Sequence, residues 1–313
     1  MINELSILIP VYNDNAVELV KTLQSQASDI EGLRYEIIVF DDGSTDITKV
    51  EANQFVNILD NCRCVLSHHH SCRSEMRNAM QHHAKYDWCL MVDARLSVKY
   101  DDFILRYLCS GAVSGGAVCG GVTVSASDGG SFNDADSLLL TKKLYKENLR
   151  FRYEKYEERF HSLSVREKYP YKSFRTTNIF YHKSVLEHVP YDEKIKGYGY
   201  EDVKLGKELQ DKGIPVLHID NPVVYTSFES NERYLAKIEE ALRTLREHDS
   251  ELVDFSPLLT YERKFRCLHV LWMVKSFHSL LGHFEKHVLC SKAPSLFIFK
   301  LYKLGYLVSL PVD

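Results

Sequence analysis

The stretch YEIIVFDDGSTD, residues 35–46, decides the fold. Its apolar part, Tyr35 to Phe40, predicts a buried strand that is closed by a turn containing Gly43. Three other short apolar runs predict strands of the same kind: LSILIPVY (5–12), CRCVLS (62–67) and DWCLMV (87–92). Helical patterns separate the four runs, which indicates βαβ units. The sequence therefore predicts an α/β fold with a mainly parallel sheet.

Carboxylates stand where two of these strands end. Asp41 and Asp42 follow Phe40, and Asp93 follows the apolar run in LMVDARLS (90–97). Because such sheets bind ligands at the carboxyl ends of their strands, we expect these acids to meet at one edge. Asp41 also has a simpler interpretation as a turn former, so Asp42 is the stronger candidate for a ligand contact.

The bulk composition excludes several classes of protein. The chain has 313 residues, 45% of them apolar, and a net charge of −4, which argues against a disordered chain and against a dedicated nucleic-acid binder. The start, MINELSILIP, has no basic region followed by a long apolar run. No stretch reaches the roughly 18 apolar residues that a membrane span requires. We therefore expect a cytoplasmic protein, with possible peripheral contact to a membrane.

The pattern is looser after Phe103. GAVCGGVTVS (116–125) predicts one strand, and LTKKLYKENLRFRYEKYEERFHS (140–162) predicts a charged helix that is solvated on most sides. A glycine-rich turn then leads into a predicted helix in GYGYEDVKLGKELQDKG (197–213), and the text is helical from Glu229 onward. We expect a catalytic domain over residues 1–228 and a helical C-terminal extension over residues 229–313.

Six segments together resemble the inverting nucleotide-sugar glycosyltransferases of family 2, which have the GT-A fold. They occur in the family's order and span most of residues 4–226: SILIPVYN (6–13), EIIVFDDGSTD (36–46), SEMRNAM (74–80), CLMVDAR (89–95), TTNIFYHKSVL (176–186) and GYGYEDVKLGKEL (197–209). The resemblance implies a Rossmann-like GT-A domain. It also implies transfer of one sugar from a nucleotide-diphosphate sugar, expected to be UDP-linked, to a hydroxyl of a glycan or lipid-linked saccharide.

The resemblance also implies roles for individual residues. Asp42 would accept the imide N–H of uracil, Arg77 would reach the diphosphate, and Asp93 would contact the ribose or a metal. Asp202, with Glu201 beside it, would be the catalytic base that takes the proton of the acceptor hydroxyl. The remaining nucleotide-sugar contacts would come from Pro10, Tyr12, Arg73 and Arg95. Contacts to the donor sugar or the acceptor would come from Asn178, Tyr198, Gly199 and Tyr200.

Several of these residues have structural alternatives. Glu201 and Asp202 could be acids that the helix dipole favours at a helix N-terminus. Tyr198 and Tyr200 could be residues at the edge of the core, and Asn178 could make a strand-end hydrogen bond. We favour catalysis for Asp202 because the GYGY loop before it (197–200) has no evident packing purpose in the sequence.

Position 95 departs from the family pattern. The family has a carboxylate there that ligates Mn²⁺ or Mg²⁺, and hard cations need oxygen ligands, so Arg95 opposes metal binding. Asp93 alone would hold a metal only weakly. A guanidinium can neutralise part of a leaving diphosphate, so we expect Arg95, Arg73 and Arg77 to form a cluster near the histidines at 68–70.

Two other functions stay open at this point. The departure at Arg95 allows a protein on the same fold that binds a sugar nucleotide or a glycan without turnover. A nucleotidyltransferase is a more distant alternative, because IPVYNDNAVE (9–18) has no glycine for a phosphate loop.

The C-terminal segment is basic and apolar. Residues 262–313 contain eight Lys/Arg against three Asp/Glu, and apolar residues form a stripe that includes Trp272, Phe277 and Phe284. This stripe predicts either packing against the catalytic domain or a second subunit, or a surface that rests on an anionic membrane. Packing is the commoner role of such stripes.

The expected partners are a nucleotide sugar and a glycan acceptor, and a homodimer is possible.

Overall fold

The computed structural model describes residues 2–126 and 135–311. Its first half alternates strands and helices as the sequence predicts. The elements are β1 (Glu4–Val11), α1 (Val17–Ser28), β2 (Arg34–Asp41), α2 (Ile47–Gln54), β3 (Cys62–Leu66), α3 (Arg73–His82) and β4 (Trp88–Val92). Each predicted strand boundary in this part lies within one residue of the observed one.

The middle of the chain contains short elements. They are β5 (Leu96–Val98), α4 (Phe103–Leu108), β6 (Ala117–Cys119), β7 (Val122–Val124), α5 (Ala135–Glu147), α6 (Leu149–Glu157), α7 (Leu163–Lys168), β8 (Asn178–His182) and α8 (Ser184–His188). The charged stretch 140–162 is therefore not one helix. Asn148 leaves the helical conformation at φ −106° and ψ 118°, and its side chain accepts a hydrogen bond from the Phe151 N–H to cap α6.

The single strand predicted over residues 116–125 is two strands, β6 and β7, in different sheets. Gly121 has φ +91°, and a Cβ on Gly120 would lie 2.2 Å from the Tyr107 hydroxyl. These two glycines permit a sharp change of direction that the hydrophobic pattern does not reveal.

The last third begins with a helix and two short strands and ends in helices. The elements are α9 (Glu201–Asp211), β9 (Val216–His218), β10 (Val223–Tyr225), α10 (Asn231–Glu247), α11 (Asp249–Leu252), α12 (Pro257–Cys267), α13 (Leu271–Leu289) and α14 (Leu296–Ser309). No helix within residues 2–126 and 135–311 is long and apolar enough to cross a membrane.

A seven-stranded sheet in the order β3-β2-β1-β4-β8-β6-β9 forms the centre of the molecule. Strands β3, β2, β1 and β4 are mutually parallel, whereas β8 runs antiparallel to both β4 and β6. A small sheet in the order β5-β10-β7 lies beside it. The predicted mainly parallel α/β sheet with a helical C-terminal extension is confirmed.

Both faces of the central sheet are buried, which explains the continuous apolar runs in the sequence. Alternate residues of β1 and β2 enter two core clusters, one containing Ile7 and Ile37 and the other containing Leu8 and Ile38. Two further clusters join α10 and α14 to the rest, one through Leu149 of α6 and the other through Tyr200. The extension is thus packed against the residues that lead into α9.

Candidate active site

The loops after β1, β2 and β4 lie together because these parallel strands end at one edge of the sheet. The Asp42 N–H donates to the Val11 carbonyl at 2.9 Å, which joins two of these loops. Asp41 accepts a hydrogen bond from the Ser44 N–H at 2.7 Å and so has the turn-forming role. Pro10 is buried inside β1 opposite Phe40. Its ring is therefore part of the strand rather than an exposed contact surface.

Asp42 and Tyr12 face each other across His70. The Asp42 carboxylate accepts hydrogen bonds from the Ser71 hydroxyl at 2.6 Å and the Ser71 N–H at 3.1 Å. Its Oδ2 also lies 2.7 Å from His70 Nδ1. The His70 ring stacks on Tyr12, with ring centroids 3.8 Å apart and an angle of 17° between the planes. The imidazole ring of His70 therefore fills the space between the Tyr12 ring and the buried Asp42 carboxylate.

Arg77 lies at the centre of a buried ionic cluster. Its guanidinium donates to Glu201 Oε1 at 2.9 Å and to Asp93 Oδ1 at 3.3 Å, and Arg77 is only 2% exposed. These carboxylates raise the pKa of Arg77 despite its burial. Two of the three arginines expected to form a cluster, Arg73 and Arg77, do lie together, since both donate to Glu201 Oε1, whereas Arg95 pairs with Asp14. Arg77 also joins α3 to the end of β4 and the start of α9.

Glu201 is held by arginines and is not arranged as a base. Arg73 Nη1 also donates to its Oε1, at 3.3 Å. Burial opposes the charge of Glu201, but Arg73 and Arg77 outweigh that effect and lower its pKa. A carboxylate whose charge is stabilised in this way is a poor proton acceptor.

Asp202, the next residue, has the opposite electrostatic environment. Burial, followed by the negative charge of Glu201, raises its pKa to about 6. One of its oxygens accepts a hydrogen bond from the Val203 N–H at 2.8 Å, and Asp202 itself is half-buried. Two adjacent carboxyls with pKa values moved in opposite directions are typical of a site where one acid positions other groups and the other exchanges a proton.

The GYGY loop that leads to Asp202 has a packing role that the sequence does not reveal. A Cβ on Gly197 would lie 2.3 Å from Thr244 Oγ1, and one on Gly199 would lie 3.0 Å from Ala241 Cβ. The Tyr198 N–H donates to Glu240 Oε1 at 3.1 Å. The loop is therefore seated on α10, the first helix of the C-terminal extension.

The two tyrosines of this loop are engaged within the protein. The Arg73 guanidinium lies over the Tyr198 ring at 4.4 Å from its centroid. Tyr200 adopts a left-handed backbone conformation with φ 67° and packs against the cluster that contains Leu242 and Leu252. For Tyr200 the core-edge alternative fits the structure better than stacking on a sugar.

Asn178 has a structural role. Its side chain accepts a hydrogen bond from the Tyr107 hydroxyl at 2.6 Å and donates to the Gly121 and Asn221 carbonyls, both at 2.9 Å. All of its hydrogen-bonding groups point at the protein, and the residue is 1% exposed. The predicted contact with a donor sugar or acceptor does not fit this geometry, whereas the strand-end alternative does.

Arg95 has an acidic partner of its own. Its Nε donates to the Asp14 carboxylate in the loop after β1, and about 43% of its side chain is exposed. The local donor set does not fit a divalent cation, because Asp93 is paired with Arg77 and position 95 is a guanidinium. Within the described residues no group of three histidine, cysteine, aspartate or glutamate side chains is arranged to hold a metal.

Sequence reasoning missed three participants: His70, Asp14 and the supporting face of α10. In the sequence the histidines at 68–70 are only a polar run near Arg73, and no pattern pairs one of them with Asp42 or Tyr12. Asp14 stands in the segment SILIPVYNDN (6–15), so its position after β1 was the available signal.

Comparison with known proteins gives a family match. A family model described as "Glycosyl transferase family 2" matches residues 6–184. That range includes Asp42, Arg77 and Asp93, and it ends before Asp202. No curated protein sequence matches the chain significantly.

Solved structures give further matches. A mannosyltransferase, PcManGT from Pyrobaculum calidifontis in complex with GDP-Man and Mn²⁺, matches with a TM-score of 0.55 and 13% identity, over 97% of this chain and 85% of that one. S. aureus TarS 1–349 matches at 0.46 and 16%, over 98% and 90%. Glucosyl-3-phosphoglycerate synthase from Mycobacterium tuberculosis matches at 0.47 and 16%, over 78% and 79%. The first match shows that the fold is that of GT-A glycosyltransferases.

Proposed function

The chain belongs to glycosyl transferase family 2, and we propose that it transfers one sugar, with inversion, from a UDP-linked donor to a hydroxyl of a glycan or lipid-linked saccharide. The observation that carries the proposal is the link between distant acids. Arg77 bonds both Asp93 and Glu201, and Glu201 directly precedes the half-buried Asp202. Arg77 thereby links Asp93, at the end of β4 that would face the donor, to the start of α9, where Asp202 would act on the acceptor.

The proposed reaction is a single displacement. Asp202 takes the proton of the acceptor hydroxyl while that oxygen bonds to the anomeric carbon. The bond between the anomeric carbon and the phosphate oxygen breaks, and the nucleoside diphosphate leaves with the bonding electrons from the opposite face. Protonated Asp202 then releases its proton to solvent. Glu201 and Arg77 act as positioning residues, because their contacts are with each other and with Asp93.

The leaving diphosphate needs positive charge, and we assign that role to Arg73 and Arg95. Both side chains are partly exposed, with about 43% of each accessible. Arginine pairs bidentately with phosphate oxygens and does not need a metal to do so. PcManGT was solved with Mn²⁺, but the donor set near Asp93 does not fit such an ion, and no step is assigned to one.

We expect transfer to continue in EDTA and to depend on Arg95. Loss of a charge-assisted hydrogen bond to phosphate costs about 1.5–3 kcal/mol, so Arg95→Ala should lower kcat/KM by about 10- to 100-fold. Initial rates of nucleoside diphosphate release measure both effects. Arg34→Ala is the matched control, since Arg34 begins β2 and pairs with Glu4 away from the ligand edge. Complete loss of wild-type activity in EDTA would refute metal independence.

The proposed base predicts a pH profile. Burial and the charge of Glu201 raise the pKa of Asp202 to about 6. A base must be deprotonated, so kcat/KM should be level above that pH and fall about tenfold per pH unit below it. Rates measured between pH 4.5 and 8 check this, with circular dichroism at each pH to confirm folding. A profile that stays flat down to pH 5 would assign the base to another group.

Nucleobase binding requires His70 to leave its place between Tyr12 and Asp42. A net contact of about 1 kcal/mol would weaken nucleotide binding about fivefold, so His70→Ala should lower the Kd for UDP by roughly that factor. Isothermal titration measures the change. His68→Ala, in the same histidine run, should have no effect. Unchanged or weaker UDP binding by His70→Ala would mean that the nucleobase binds elsewhere or that His70 itself contributes to nucleotide binding.

The alternative function is binding of a sugar nucleotide or glycan without turnover. The observation that favours it is Arg95, which occupies the position of an expected metal ligand and is paired with Asp14. This alternative predicts donor binding with no release of nucleoside diphosphate. The division into a catalytic domain (1–228) and a helical extension (229–313), the cytoplasmic location and a possible homodimer remain proposals.

A further inference from the structure

Helix α13 presents an apolar face to solvent. We define this face by five exposed side chains: Trp272, Met273, Phe277, Leu280 and Phe284. Their exposed fractions run from 46% for Phe277 to 81% for Leu280. Residues 273, 277, 280 and 284 recur at helical spacing and so share one side of the helix. The predicted packing of this stripe against the catalytic domain does not occur.

The opposite side of α13 holds the helix in place. Glu285 and Leu289 are buried there, and Glu285 Oε2 lies 2.7 Å from His278 Nδ1. Gly305 of α14 has no room for a Cβ, which would lie 2.6 Å from His278 Cβ, so the two helices pack closely. The apolar face is therefore held outward by a fixed packing arrangement.

The exposed charged side chains of the C-terminal segment itself have one sign. Within residues 263–311 the single acidic side chain is Glu285, which is buried and paired with His278. Arg263, Lys264 and Lys275 are exposed in the same segment. Large apolar side chains bordered by exposed cations are complementary to a surface with an apolar interior and anionic headgroups.

We propose that the apolar face of α13 rests on an anionic membrane surface. A second copy of this chain is less suitable, because a two-fold interface brings the same patch together and would oppose like charges. At 19 residues, α13 is about 28 Å long at 1.5 Å per residue, and it would lie in the plane of the headgroups. The proposal does not depend on the transfer reaction.

Co-sedimentation of the full chain with lipid vesicles tests the proposal. We expect binding to phosphatidylcholine vesicles that contain about 30% phosphatidylglycerol, and much weaker binding to phosphatidylcholine alone. Trp272→Ser combined with Phe277→Ser should reduce the partition coefficient at least tenfold. Lys264→Glu combined with Lys275→Glu should reduce it about 25-fold or more, at roughly fivefold per charge removed.

A matched control replaces exposed apolar residues elsewhere. Ile58 and Leu105 are 71% and 43% exposed on the catalytic domain, and Ile58→Ser combined with Leu105→Ser should leave vesicle binding unchanged. Trp272 also reports directly in a Trp88→Phe background, because the chain has 2 tryptophans. Its emission should shift to shorter wavelength with anionic vesicles. Absence of both binding and shift would overturn the proposal, and a stable dimer abolished by Trp272→Ser would identify a second copy as the occupant.

Discussion

Asp202→Asn should abolish sugar transfer while leaving donor binding intact. General-base catalysis contributes about 10²- to 10⁴-fold, and an amide cannot accept the proton of the acceptor hydroxyl, so kcat should fall by that factor. The affinity for UDP should change less than twofold, because Asp202 is assigned to the acceptor side. Initial rates and isothermal titration on the same protein preparation separate the two quantities.

The loss should not arise from unfolding. Burial and Glu201 raise the pKa of Asp202 to about 6, which means that the fold disfavours its charged form above that pH. Removing the charge at pH 7.5 should therefore leave the free energy of unfolding unchanged or higher. Asp211→Asn, at the exposed other end of α9, is the matched control and should retain full activity. Activity of Asp202→Asn within threefold of wild type would remove Asp202 as the base.

Of the substitutions considered, Arg77→Met should cause the largest fall in the free energy of unfolding. Arg77 is buried and pairs with Glu201 and Asp93, so its deletion leaves Asp93 without its partner and Glu201 with Arg73 alone. Such a deletion costs about 3–5 kcal/mol, so the free energy of unfolding should fall by that amount. Urea denaturation followed by circular dichroism measures the change.

The same substitution at an exposed ion pair gives the control. Arg106 pairs with Asp102 one turn earlier in the chain, with both side chains partly exposed, and Arg106→Met should cost less than about 1 kcal/mol. A loss below about 1 kcal/mol for Arg77→Met, together with much weaker UDP binding, would contradict the positioning role. It would restore Arg77 as a direct diphosphate contact.

Much of the architecture was predictable because it depends on local signals. The strand ending at Phe40, its Asp-Asp-Gly turn and the alternation with helices follow from hydrophobic patterning and turn chemistry over short stretches. The common edge that brings the Asp42 and Asp93 loops together follows from parallel strand direction alone. The departure at Arg95 was also visible as a single residue of the wrong charge.

The predictions that were wrong depend on side chains that contact each other although they are far apart in the chain. Asn178 bonds Tyr107 and the Gly121 and Asn221 carbonyls, and no short window of sequence contains those groups. Arg77 sits beside Glu201, 124 residues away, so its burial could not be inferred from its place on α3.

Local patterns also misled where a glycine changed the direction of the chain. The apolar text from 116 to 125 is continuous, yet Gly120 and Gly121 divide it between two sheets. Nothing in the sequence indicates that the GYGY loop is packed, because α10, the helix it packs against, begins more than 30 residues later in the chain. Its dense contact with Ala241 and Thr244 links the C-terminal extension to the position of Asp202.

The fate of a nucleotide sugar on the wild-type chain distinguishes inverting transfer from binding without turnover. Proton NMR follows UDP-sugars with the protein in EDTA, first in water and then with glycan and lipid-linked acceptors. Inverting transfer predicts release of UDP and a first-formed product whose anomeric configuration is opposite to that of the donor. Product with retained configuration, or bound donor that stays intact with every acceptor, would contradict inverting transfer by Asp202.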